Sequence, residues 1–138
     1  VIVTFAVVLL RYALDIGCIW MQEAVVWMHA CVFLLGAAWA LRSGDHVRVD
    51  VLYKRRSPRA QARVDLLGSL LLLLPFCGYV FFEALPYVQQ SFAVGERSRE
   101  AAGLPALWLL KSVILLAVVA LALQGVSEAA RAWRRLRS

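Results

Sequence analysis

Four ionisable residues stand inside otherwise apolar stretches of this 138-residue chain: Arg11, Glu23, Glu83 and Lys111. Carboxylates and cations so placed can hold a transported ion, relay protons or neutralise one another. Charge inside lipid is costly and usually faces protein or water. Depth follows from distance along a helix. Glu23 lies 19 residues before Arg42, Glu83 lies 18 after Asp65, and Lys111 lies 20 before Arg131. At about 1.5 Å per residue these are depths of about 27–30 Å. Arg11 precedes a turn signal at Asp15-Ile16-Gly17 and joins the same level. The four are expected to form an outward-side polar layer. In it Glu23 and Glu83 pair with Arg11 and Lys111, or each side chain reaches separately to the headgroups.

The remaining chemistry is sparse. His29 is the only histidine at membrane depth, and one imidazole cannot supply both axial nitrogens of a b-type haem. An interhelical hydrogen bond is its expected use. Asp45, His46 and Asp50 lack the dense ligand set a metal needs and read as solvated loop residues. Cys18, Cys31 and Cys77 are odd in number and widely spaced, so they read as small apolar residues. Phosphate-cradling glycines, a nucleophile elbow and paired cysteines are all missing from the sequence. The expectation is a protein without catalytic residues, cofactor or metal, hence not an enzyme.

The elements that carry these residues are set by hydropathy. The chain is 62% hydrophobic, where a soluble domain would be nearer half. The excess is concentrated in Ile16–Gln22, Ala24–Leu41, Leu66–Phe82 and Ser112–Ser127. An all-α membrane protein follows: one four-helix transmembrane domain over residues 1–138, with helices at about 1–14, 20–41, 58–88 and 104–127. The first is read as the outer half of a helix whose start lies upstream of Val1. Gly44 suits the left-handed position that closes the second helix. Ser57-Pro58 suits the start of the third, Pro75 should kink it, and Pro86 falls near its end. The fourth continues as a basic tail, EAARAWRRLRS.

Orientation follows from the basic residues. The 42–63 connection holds seven, the tail holds four, and the Gln89–Gly103 connection holds only Arg97 and Arg99, offset by Glu96 and Glu100. Cytoplasmic loops collect Arg and Lys, so both termini are expected inside. The net charge of +6 then needs no nucleic acid partner. Within RSGDHVRVDVLYKRR, the stretch Val47, Arg48, Val49, Asp50, Val51 and Tyr53 is amphipathic and fits a segment lying on the inner membrane surface, helical or extended. Gly36 and Ala40, four apart, and Gly68 are flat spots for helix packing within the chain or against a partner. So few polar groups fall at mid-depth that the chain makes a poor pore, and no pair of broken helices marks a midplane substrate site.

The order LRY (Leu10–Tyr12), WMQEAVVWM (Trp20–Met28), FLLGAAWALRSGDHVRVDVLYKRRSPRAQARVDLLG (Phe33–Gly68) and GLPALWLLKSVILLAVVALALQ (Gly103–Gln124) resembles the DctQ-like family. This is the small membrane subunit of TRAP (tripartite ATP-independent periplasmic) transporters. The resemblance implies a multi-pass protein of the bacterial inner membrane. Its partners would be a large permease subunit, which holds the substrate and sodium sites, and a periplasmic substrate-binding protein that docks transiently. The chain would be a non-catalytic scaffold in ion-driven uptake of organic acids. Gly36 and Ala40 would be candidate permease contacts, and Glu96, Arg97, Arg99 and Glu100 a candidate docking rim. The alternative is a self-contained four-helix multidrug or cation exporter acting as a dimer, which would need a carboxylate in a central cavity.

Overall fold

Each apolar stretch is helical in the computed structural model, which describes residues 1–43, 53 and 56–137. The helices are α1 (Ile2–Ala13), α2 (Ile19–Ser43), α3 (Pro58–Ala93) and α4 (Leu107–Arg137). No strand occurs among the described residues. Three of the four, α2, α3 and α4, are long and apolar enough to cross a membrane. The 12 residues of α1 cover only about 18 Å.

Local chemistry sets the boundaries. Asp15 adopts a left-handed φ of 53°, and the amides of Leu14 and Ile16 both donate to the Leu10 carbonyl, closing α1. Ser57 caps α3: its Oγ accepts from the Ala60 amide at 3.4 Å, and Pro58 takes the first helical position, where a missing N–H costs nothing. The sequence places the end of this helix near Val88, but it continues to Ala93. The fourth helix begins at Leu107 rather than near 104 and runs through the basic tail to Arg137. Nothing between Val126 and Arg137 breaks a helix, and Ala, Glu, Leu and Arg are strong formers.

Pro75 has no N–H and its ring crowds the carbonyl four residues back. Just before it, Gly68–Leu73 forms a π turn, where the Leu74 amide reaches back five residues to the Ser69 carbonyl. A π turn inserts one extra residue per turn. The buried side chains of α3 show the consequence: Ala62, Ser69, Cys77, Ala84 and Ser91 follow steps of seven, eight, seven and seven, with Val88 one turn after Ala84. The step of eight spans the π turn, so the buried stripe keeps one face along the helix.

That stripe is made of small residues, and it meets another on α4: Ala117, Gly125, Ala129 and Ala132. Small side chains let membrane helices approach closely. At Gly125 a Cβ would lie 2.8 Å from Leu73 Cδ2, so the helices approach closely there and any added side chain must displace that leucine end. Helix α4 packs on α3 along one side and on α2 along the other, and α1 packs on α2. Helices α2 and α3 share no packed interface among the described residues. The contact order is therefore an open row, α1–α2–α4–α3. No residue of α1 or α2 is fully buried.

Candidate functional site

Polar side chains gather at the two ends of this row. At one end, the connection 94–106 folds back between α3 and α4. Gly95 turns with φ 58° and Ala106 with φ 67°. The Glu96 amide donates to the Ser91 carbonyl and the Leu107 amide to the Glu96 carbonyl. This looped-back course brings the backbone onto Glu23 of α2. One Glu23 oxygen accepts the Ser98 hydroxyl, and the other accepts the Leu104 amide at 2.6 Å. Ser98 Oγ in turn accepts the Glu100 amide at 3.2 Å. A Cβ on Gly103 would collide with the Ser98 side chain and lie 2.8 Å from Glu23 Oε1, so only glycine leaves room for this clasp.

Beside it, Lys111 of α4 donates to Glu96 at 2.5 Å and stands 3.9 Å over the Tyr87 ring. The ammonium is thus held by a carboxylate and by an aromatic face. The hydrogen bond from Lys111, the largest influence, holds the Glu96 carboxyl below the ordinary carboxylate range. Phe92 and Trp108 pack edge to face at 5.1 Å and join α3 to α4 at the same end.

The four residues of the expected polar layer therefore part company. Glu23 and Lys111 are engaged by Ser98, Leu104 and Glu96 of the connection. No ion pair among the described residues joins either of them to Arg11 or Glu83. Arg11 and Glu83 are exposed in this chain. Glu83 precedes Tyr87 by four residues, so it lies about 6 Å deeper than the Lys111 level. Of the four loop charges, Glu96 is half-buried in its ion pair, while Arg97, Arg99 and Glu100 are exposed. The engagement of Glu23 by a backbone amide has no signature in residue type, and sequence reasoning missed it. Gly103 was its one visible mark.

At the opposite end, Asp65 of α3 accepts the Tyr53 hydroxyl at 2.7 Å and lies 3.8 Å from the Arg135 guanidinium of α4. The Gln61 amide donates at 3.1 Å to the carbonyls of Tyr53 and Arg56. The start of α3, the end of α4 and Tyr53 are thereby tied together. Arg131 pairs with Glu128 one turn before it on α4. Arg42 stands over Trp39, and Arg137 over Trp133 at 5.0 Å. The rest of the expected surface segment, Val47, Arg48, Val49, Asp50 and Val51, lies outside the described residues, as do Asp45 and His46.

The glycines expected to mediate packing are open: a Cβ on Gly36 or Gly68 would meet nothing within 4 Å. Close approach occurs at Gly125 instead. Ala40 is half-buried and Gly36 exposed. His29 donates from Nδ1 to the Val25 carbonyl of its own helix at 2.8 Å, so its hydrogen bond is intrahelical where an interhelical one was expected. No cluster among the described residues assembles three or more His, Cys, Asp or Glu as metal ligands.

Compared with known families, residues 1–135 match the DctQ component of the tripartite ATP-independent periplasmic transporters. The chain belongs to this family. It is accordingly a multi-pass membrane protein and a small permease subunit of a TRAP transporter. No curated protein and no solved structure matches it. The DctQ resemblance carried by WMQE and the run from FLLGAAWA is thus upheld over nearly the whole chain.

Proposed function

We propose that this DctQ component is a non-catalytic scaffold of the bacterial inner membrane. It braces a large permease subunit and helps a periplasmic substrate-binding protein to dock during sodium-driven uptake of an organic acid. In this reading both termini are cytoplasmic, α1 contributes to a fourth span, and the 94–106 connection faces the periplasm. The arginine-rich ends of α3 and α4 face the cytoplasm, as the distribution of basic residues favours.

The observation that carries the reading is Glu83. It is an exposed carboxylate about one turn below the Lys111 level, on a helix flanked by Phe81, Phe82 and Leu85. A carboxylate there faces protein or water rather than acyl chains, which favours a second polypeptide, or a watery cavity beside one, over lipid on this face of α3. The open row supports the same conclusion, because α2 has spanning length yet buries none of its residues fully. Gly36 and Ala40 on α2 are then candidate permease contacts. Exposed Arg97, Arg99 and Glu100 offer a docking rim held in place by the Glu23 and Lys111 contacts behind it. The exporter alternative needs a carboxylate in a central cavity, whereas Glu23 is occupied by Ser98 and Leu104 and Glu83 is exposed on α3.

The test is co-purification in mild detergent. A many-helix permease subunit should accompany the chain at equal stoichiometry, and Glu83→Leu should weaken its retention. Arg97→Glu with Arg99→Glu should weaken docking of the binding protein about fivefold per exposed pair, at up to ~1 kcal/mol each, while leaving the permease bound. Proton-driven solute movement by this chain alone in vesicles would refute the scaffold reading.

A further inference from the structure

A groove of about 360 Å³ runs between α3 and α4, lined by Leu74, Gly78 and Phe81 on one helix and Val119, Leu123 and Val126 on the other. Its lining is almost wholly apolar. Gly78 provides its depth, since a Cβ there would meet nothing within 4 Å. On α4 the groove has a continuation. Val119, Leu123, Val126, Ala130, Arg134 and Arg137 follow steps of four, three, four, four and three, which keeps them on one face of a helix of 3.6 residues per turn. Trp133 adjoins this stripe and carries Arg137 over its ring. Ala130 is exposed and small, so it leaves the track open between the apolar part and the arginines.

The charges at this end divide into two sets. Arg131 is taken by Glu128, and Arg135 lies against Asp65. Arg134 and Arg137 are exposed, and no carboxylate among the described residues pairs with either. Arg134 stands eight residues beyond Val126, about 12 Å along the axis. An apolar slot ending in two uncompensated guanidiniums, with an indole at the join, has the order of parts of a phospholipid: acyl chain, glycerol region, phosphate. A helix of a partner protein would fill the slot but would need a carboxylate of its own placed opposite the arginines, whereas an anionic phospholipid carries both parts in one molecule.

We infer that this groove and the Trp133–Arg134–Arg137 cluster form a binding site for one phospholipid with a net negative headgroup. One acyl chain lies along Gly78 and Leu123, and the phosphate is held by Arg134 and Arg137. Each arginine near a membrane surface contributes about a fivefold preference for anionic lipid, so the pair gives about thirtyfold.

The experiment uses the full chain with Trp20, Trp27, Trp39 and Trp108 replaced by Phe, leaving Trp133 as the fluorophore. It is reconstituted in phosphatidylcholine vesicles containing a minor fraction of lipid brominated near the glycerol end of one chain. The brominated lipid is either phosphatidylglycerol or phosphatidylcholine. Bromine quenches an indole only at close range, so quenching reads occupancy beside Trp133. The brominated phosphatidylglycerol should quench at a fraction about thirtyfold lower than the brominated phosphatidylcholine. Arg134→Gln with Arg137→Gln, both exposed positions, should abolish the difference. Ala122→Phe, which fills the groove without adding an indole, should reduce it with both arginines intact. Equal quenching by the two lipids overturns the proposal, as does a preference that survives the double arginine change. An unchanged preference in Ala122→Phe overturns it too, because the arginines would then attract anionic lipid without a groove-bound chain. If a co-reconstituted permease subunit shields Trp133 from both lipids, the groove belongs to that protein and the lipid assignment fails.

Discussion

Replacing Glu23 by Ala should free the 94–106 connection from α2. Both carboxylate oxygens are engaged, one by the Ser98 hydroxyl and one by the Leu104 amide. Hydrogen bonds to a charged group contribute about 1.5–3 kcal/mol each when well formed. Glu23 is half-buried rather than enclosed, so water recovers part of that on opening. A loss of about 2 kcal/mol for the pair is a fair lower figure, and it corresponds to about a thirtyfold rise in the open population. Amide hydrogen exchange at Leu104 reads that population directly, since this N–H exchanges only when it leaves Glu23. The expected result is exchange about thirtyfold faster at Leu104 in Glu23→Ala, a smaller rise in Glu23→Gln, and no change at Val118 in the middle of α4. Gly103→Ala should reproduce the effect without touching the carboxylate, because its methyl group would occupy the space of the Ser98–Glu23 contact. Unchanged exchange at Leu104 in both variants would refute the clasp and leave the connection held by the Lys111–Glu96 pair alone.

Two further outcomes are expected. The folded state favours ionised Glu96, so the stabilisation from its ion pair with Lys111 is complete above the unfolded carboxyl value of about 4.3. It drains away as pH falls through the lower folded value. Thermal unfolding of Glu96→Gln should therefore lose that part of the acid-side dependence seen in the unaltered chain, and superimposable profiles would contradict the assignment. At the α3–α4 contact, Gly125→Leu should lower stability by about 1–3 kcal/mol through overpacking against Leu73 and Leu74. Gly125→Ala should come out near neutral, because about 1 kcal/mol of helix propensity offsets the displacement of a flexible leucine end. Denaturation in detergent distinguishes the two.

How much of this was legible in the sequence depends on which physical quantity carries the signal. Span positions were, because lipid thickness demands long apolar runs and α2, α3 and α4 supply them. So was the family, through WMQE and the run from FLLGAAWA. The basic tail was read only as a continuation, although its alanines, leucine and arginines favour a helix to Arg137. Depth arithmetic puts Glu23 and Lys111 at one level, but the partners they meet there are Ser98, Leu104 and Glu96. Those partners lie on a connection whose course depends on left-handed turns at Gly95 and Ala106 and on a backbone amide that every residue possesses. Glu96 looked like part of an exposed rim until that course brought it to Lys111. Small-residue spacing singles out Gly36, Ala40 and Gly68 and gives no reason to prefer Gly125, four residues before Ala129. Spacing marks a possible flat spot, but only the packed pair of helices decides which flat spot is used.

The π turn in α3 makes the length of its leucine run adjustable by one. Removing a single residue from Leu70–Leu73 would relax that stretch to an ordinary α-helical turn. The small side chains on either side would still meet α4, because the eight-residue step from Ser69 to Cys77 would become seven. The same loss from the uninterrupted body of α4 would rotate everything beyond it by about 100°, turning Gly125 or Ala132 out of the seam. One chain thus carries a tolerant and an intolerant helix side by side, and the π turn is what makes them differ.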